Sequence, residues 1–252
     1  MDASIAIVSR GIDLSVVLTS LIAQDVRLPI HLVLDRLPNK RDTFLLDTLR
    51  RTGSPVSMNL QRQRGVGQAR FEVAEYNVQV GTVVCLDDDA MLYPHDAIRR
   101  LVEAALGNSF ATPVIRYVHN FEGSGMPDHE EVWDTVTGDD PRVIRALAAN
   151  GPGWRRVFDF GTDQKTTDLG GTAFACSMAD YQLAVGGLEG WDGGGEDYYL
   201  GRELCKMSGP GVVLSGVYAY HVGVFTPGKW GFTEVALRYC REDPEGFRRY
   251  MT

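Results

Sequence analysis

The sequence predicts an α/β domain built around a mostly parallel central sheet flanked by helices, and three observations carry that expectation. Short apolar runs alternate with stretches whose apolar residues recur at helical spacing, which is the rhythm of βαβ units. The chain has 252 residues, 44% of them hydrophobic and 23% charged, enough to bury one substantial core. Its 28 glycines cluster instead of scattering, as they do where backbone turns tightly or approaches a ligand.

The first strand is expected over residues 5–8, followed by a helix that Asp13 caps and that carries Leu14, Val17, Leu18, Leu21 and Ile22 on one face. A second strand, Ile30–Leu34, ends at Asp35, and a helix capped near Asp42 follows with Phe44, Leu45 and Leu49. Val56–Leu60 reads as a third strand, residues 67–80 as a helix without breakers, and residues 82–86 as a fourth strand. Pro94 opens a helix that carries Ile98, Leu101, Val102 and Leu106, and a strand follows over residues 110–118.

From residue 119 to 168 the pattern dissolves into Gly, Asp, Pro and Asn, with one helix over residues 141–149. A long weakly patterned stretch inside a domain is the signature of a binding loop or lid. Regularity returns with a strand over residues 171–176, then Ser177 and Asp180 in a Ser-x-x-Asp capping arrangement, a helix beginning near Glu196, and a strand over residues 212–220 that ends at His221. Residues 232–239 and 244–250 read as terminal helices. Without a repeat or linker, residues 1–252 read as one domain.

Twenty-five Lys and Arg against 33 Asp and Glu give a net charge of −8, so no global positive field draws the chain to nucleic acid or anionic lipid. Arg142, Arg145, Arg155 and Arg156 could still form a local basic rim. The cysteines, Cys85, Cys176, Cys205 and Cys240, stand singly without zinc-like spacing and read as reduced thiols. No stretch reaches the ~18 apolar residues of a membrane span, and the N-terminus has no basic n-region, so a soluble, cytoplasmic protein is expected.

The sharpest chemical signal is Asp87-Asp88-Asp89, three carboxylates directly after an apolar strand, where a parallel sheet presents its ligand-binding edge. Hard oxygen ligands suit Mg²⁺ or Mn²⁺ together with substrate phosphates. Alone, the triplet also fits a solvated turn. The stretch from Gly186 to Asp197 is dense in glycine and delivers Glu196 and Asp197 onto a helix start, where a carboxylate can act as general base or simply match the helix dipole. His221 fits either a hydrogen-bonded core histidine or a ligand; an imidazole added to carboxylates shifts preference toward Mn²⁺.

These segments, in the order Asp35, then Arg64-Gly65-Val66-Gly67-Gln68-Ala69-Arg70, then Asp87-Asp88-Asp89, then Gly170-Gly171, then Gly186-Gly187 to Glu196-Asp197, resemble the GT-A nucleotide-sugar glycosyltransferases of the large inverting family (family 2-like). The resemblance spans nearly the whole chain, and residues 191–197 are similar to the Trp-Gly-Trp-Gly-Gly-Glu-Asp segment of the β-1,4-galactosyltransferases, whose downstream metal-binding histidine His221 matches. It implies a nucleotide-sugar-binding half over residues 1–118 and an acceptor-binding, catalytic half over residues 119–252. It implies Asp87 and Asp89 as a DxD motif, with Asp89, Asp87 and His221 holding the metal, Mn²⁺ or Mg²⁺.

Asp197 is then the general base and Glu196 a sugar or acceptor contact. Asp35 faces the base or ribose, and Arg64, Arg70, Asp88, Gly171, Trp191 and Gly194 line the nucleotide sugar, UDP-linked by preference. The sequence departs from the pattern in Asp35-Arg36, where Asp-Asp is usual, and in Phe71, where Asn is usual. The Gln-x-x-Arg-Trp motif of processive synthases is absent, Gly228-Lys229-Trp230 being its nearest remnant, which implies transfer of a single sugar.

Two rival readings share the motifs. A nucleotidyltransferase uses a similar sheet and metal but needs a glycine-rich phosphate loop near the first strand, which Ser9-Arg10-Gly11-Ile12-Asp13 does not supply. A catalytically silent sugar- or metal-binding module would keep the scaffold, although the joint presence of DxD, Glu-Asp and His221 weighs against it. The expected acceptor is a small molecule, glycan or protein hydroxyl, with nucleic acid disfavoured by charge; Tyr117, Trp133, Trp154, Trp191 and Trp230 are the aromatic groups that could stack on sugar or base.

Overall fold

Seven residues of uninterrupted burial, Ala3–Ser9, form strand β1. Its Ile5 and Ile7 point into one apolar cluster while Ala6 and Val8 point into a second on the opposite face, the two-residue period of a strand covered on both sides. The structure, a computed structural model, describes residues 1–9, 14–63, 65–76, 80–117, 135–150, 152–191 and 195–221. The expected cap Asp13 and the two expected terminal helices lie outside these residues.

In chain order the elements are β1, α1 (Ser15–Ala23), β2 (Ile30–Leu34), α2 (Lys40–Arg51), β3 (Val56–Leu60), α3 (Val66–Tyr76), β4 (Thr82–Asp87), β5 (Ala90–Tyr93), α4 (Ala97–Ala105) and β6 (Ala111–Tyr117). They continue with α5 (Pro141–Asn150), a 3-10 helix (Pro152–Val157), β7 (Gln164–Thr166), β8 (Ala173–Ser177), α6 (Met178–Ala184), a second 3-10 turn (Val185–Leu188), α7 (Glu196–Ser208) and β9 (Gly211–His221). The sheet order is β3-β2-β1-β4-β8-β6-β9-β5, with β7 also paired to β9. The pairings make β1, β2, β3, β4, β6 and β9 run one way and β5, β7 and β8 the other.

Helices α1, α2 and α4 cover one face through Val17, Leu18, Leu46, Leu49, Ile98 and Leu101. Helices α3, α6 and α7 cover the other through Val73, Tyr181 and Leu200. The stretch that reads as patternless holds a small core of its own, in which Val136, Val143, Ala146, Val157 and Phe158 pack together. Its apolar residues are too widely spaced along the chain for a periodic signal, because α5 and the 3-10 helix bury them against each other instead of against the sheet.

Two local expectations are corrected. Helix α2 begins at Lys40, two residues before the expected cap at Asp42: Asn39 is the cap, and its side chain accepts from the Asp42 amide at 2.9 Å. Strand β5 carries no strand expectation in the sequence, since four residues between an acidic turn and Pro94 are too short to show a pattern; its alternating burial appears only once it pairs with β9. The Ser177–Asp180 cap forms as expected at the start of α6. Removal of the α2 cap in Asn39→Ala should lower stability by about 1 kcal/mol, read as a lower urea midpoint at unchanged m-value.

Candidate active site

Asp87 is the last residue of β4, Asp88 and Asp89 make the turn, and β5 begins at Ala90. The chain leaves the middle of the sheet there and crosses to its far edge, where Ala90 stands opposite His221 in the β5–β9 ladder. That register brings Asp89 beside the end of β9, with Asp89 Oδ1 3.5 Å from His221 Nε2. Asp87, Asp89 and His221 each offer one ligand atom, and these atoms lie within 4.8 Å of one another.

The second half of the site is the start of α7. Gly195 caps the helix with φ of 85°, a left-handed conformation that glycine takes without strain, and Glu196 and Asp197 occupy the first turn. Asp197 accepts from the Tyr198 amide at 2.8 Å and from the Gly171 amide at 3.3 Å. A Cβ on residue 171 would stand 3.1 Å from Asp197 Cβ, so glycine there permits the close approach.

Arg70 joins the two halves. It projects from α3, is 1% exposed, and one Nη donates both to Asp87 Oδ1 at 2.7 Å and to the Gly171 carbonyl at 2.8 Å. Its guanidinium lies 5.4 Å from the Phe174 ring centroid. Arg70 therefore stands behind Asp87, away from solvent, where it orients a carboxylate through a charge-assisted bond.

Burial pushes the Asp87 carboxyl up, and the Arg70 guanidinium opposes that shift. Burial and the neighbouring Asp197 carboxylate push Glu196 up to about 8. Asp87 and Glu196 thus lie near one buried arginine, with Asp197 tied to it through Gly171 and with Asp88 and Asp89 in the turn after Asp87. Such an edge favours a cation, and two carboxylates with an imidazole at mutual ligand distances form a donor set suited to Mn²⁺.

The remaining sequence-derived residues fall in several places. Asp88 accepts from the Ser9 hydroxyl at the end of β1, which fixes the turn to the sheet edge. Asp35 follows β2 at that same edge, half-buried, and its amide donates to the Ser9 carbonyl at 3.0 Å. Trp191 is 3% exposed, with its ring 5.8 Å from that of Tyr199, and it packs against Gly67, where a Cβ would lie 2.6 Å from Trp191 Cβ. The indole is thus part of the core between α3 and α7. Arg64 and Gly194 lie outside the described residues, as do Trp133 and Trp230.

The expected basic rim is divided: Arg142 pairs with Asp140, Arg155 lies over the Phe160 ring, and Arg156 turns inward to Asp168. Sequence reading missed Ser9 and the Arg156–Asp168 pair. Neither has a local signal, since a serine at a strand end and an Arg–Asp pair 12 residues apart are unremarkable until the sheet brings them to one edge.

No protein-family model and no curated protein matches the sequence. Solved structures do match its shape. A structure of GalNAc-T7 with UDP, GalNAc and Mn²⁺ superposes with a TM-score of 0.64 at 17% identity, covering 96% of this chain and 48% of its own. The fold is GT-A. Residues 1–349 of S. aureus TarS give a TM-score of 0.56 at 13% identity over 88% of this chain and 60% of theirs. The mannosyltransferase PcManGT from Pyrobaculum calidifontis, solved with GDP-Man and Mn²⁺, gives 0.55 at 15% over 90% and 58%. The chain thus spans about half to three-fifths of the length of these structures, and at such identities the likeness establishes the GT-A fold alone.

Because the Glu196 carboxyl is raised in the folded state, its contribution to stability is complete below the ordinary carboxylate range and is lost as pH rises through about 8. Glu196→Gln should therefore gain on the unsubstituted protein between pH 5 and pH 9 by something on the order of a few kcal/mol. Urea unfolding of both proteins at the two pH values in EDTA checks this.

Proposed function

We propose that this chain is a metal-dependent glycosyltransferase that moves one sugar from a nucleoside-diphosphate sugar, UDP-linked by preference, to an acceptor hydroxyl with inversion. The observation that carries the reading is the meeting of Asp87, Asp89 and His221 at one sheet edge, with Asp197 tied to the same edge through Gly171 and Arg70. The GT-A neighbours solved with UDP or GDP-Man and Mn²⁺ support it.

In this reading Asp87, Asp89 and His221 hold a divalent cation, Mn²⁺ or Mg²⁺, which would offset the negative charge that collects on the departing diphosphate. Asp197 takes the proton of the acceptor hydroxyl at its carboxylate as the hydroxyl oxygen bonds to the anomeric carbon and the bond to the diphosphate breaks. The Gly171 and Tyr198 amides hold that carboxylate in one orientation. Glu196, beside it in the first turn of α7, contacts the sugar or acceptor, and Asp35 reads the base or ribose.

We take residues 1–252 as one domain whose acceptor is a small molecule, glycan or protein hydroxyl. No helix among the described residues is long and apolar enough to cross a membrane. The free thiols Cys85, Cys176 and Cys205 fit a reducing, cytoplasmic setting.

Thermal shift with UDP, GDP and their sugar conjugates should show stabilisation that depends on Mn²⁺. No shift with any of them would remove the donor-binding claim. Asp197→Asn should lower turnover by roughly a hundredfold or more while leaving that shift intact, and undiminished turnover would remove Asp197 as base. Changes one sphere beyond a metal already cost about tenfold or more in affinity, so Asp89→Ala should weaken the Mn²⁺-dependent shift by at least that factor in apparent Kd.

A further inference from the structure

The Asp197 carboxylate is held through Gly171, and Gly171 has its own support. Residues 168–172 lead into β8, with a turn at Gly171–Thr172. Arg156, from the 3-10 helix Pro152–Val157, pairs with the Asp168 carboxylate, and both side chains are largely buried, at 11% and 14% exposure. Asp168 stands two residues before Gly170 in the chain. Gly170 has φ of 69°, and a Cβ there would lie 2.7 Å from Ile115 Cδ1 and 3.2 Å from Arg156 Cδ, so the arginine stem lies directly against the glycine backbone. The next residue, Gly171, donates its amide to Asp197 and accepts from Arg70 at its carbonyl.

A continuous path therefore runs from Arg156 through Asp168 and the Gly170–Gly171 segment to Asp197. Burial, with the neighbouring Asp197 charge, pushes the Asp168 carboxyl up and Arg156 opposes that shift, so an Asp168 carboxylate without its arginine would be an uncompensated buried anion close to Asp197. Asp87 has its own cation in Arg70, which donates to Asp87 Oδ1 at 2.7 Å. Arg156 is thus the counter-charge on the acceptor-half side of Asp197, supplied by a segment with no other role in the metal cluster.

We propose that Arg156, acting through Asp168 and the Gly170–Gly171 segment, is a positioning residue that sets the orientation of the Asp197 carboxylate. The structural part of this stands by itself; the catalytic consequence rests on the reading of Asp197 as base.

The first test needs no substrate. In Arg156→Met, hydrogen exchange at the Gly171 amide should accelerate by about tenfold or more while β1 keeps its protection. Unchanged exchange at Gly171 overturns the proposal, and so does an equal acceleration in β1, which would mean general destabilisation. The second test is steady-state release of UDP from a UDP-sugar panel with Mn²⁺. Arg156→Met should lower kcat by tenfold or more with donor KM within about twofold, and Arg156→Lys, which keeps the charge, should recover much of the loss. A rise in KM at constant kcat, or no recovery by lysine, overturns it. If Asp197→Asn retains turnover, the reading of the base fails whatever the exchange data show; if Asp197→Asn is inactive while Arg156→Met has normal exchange and kcat, the positioning claim alone fails.

Discussion

One buried guanidinium organises the site. Arg70 reaches from α3 beneath the sheet edge and touches both the end of β4 and the turn before β8. Burial works against its charge, and the Asp87 carboxylate keeps it protonated, above the ordinary arginine range. A pair of this kind adds little net stability compared with an apolar replacement, but loss of one partner strands the other and typically costs about 3 to 5 kcal/mol. Arg70 therefore acts less as a fastener than as a constraint: the position of Asp87 and that of the Gly171 peptide are fixed relative to the same planar group.

The direction of β8 makes that constraint available. A strand parallel to β4 would begin at the opposite edge of the sheet, whereas β8 runs antiparallel to β4, so its first residues stand beside the last residues of β4. The Thr172 carbonyl accepts from the Asp87 amide at 3.0 Å, which aligns the two. Gly170 and Gly171 precede β8 at this edge, and α7 lays Asp197 against them. Every contact in the site follows from which end of a strand meets which edge.

Much of this was legible in the sequence. The alternation of apolar runs and helical periods is strong for β1, β2 and β4, whose side chains are buried on both faces, and the carboxylate triplet follows directly from the end of β4. Glycines announced the start of α7 because a left-handed Gly195 and a close-packed Gly171 are places where other residues cannot stand. What stayed hidden depends on long-range pairing. The four residues of β5 have no pattern without β9, the Arg156–Asp168 pair has no local signature, and the burial of Trp191 depends on the absence of a side chain at Gly67 in α3.

The β5–β9 ladder joins positions about half the chain apart, and His221 is the last residue of the last strand described. Contacts so distant in sequence form late, since the intervening chain must give up its freedom before they return any stability. His221 therefore joins Asp87 and Asp89 only when β9 has paired with β5. A partly opened chain carries the carboxylate triplet without its histidine, so in the proposed reading tight cation capture would report a finished fold.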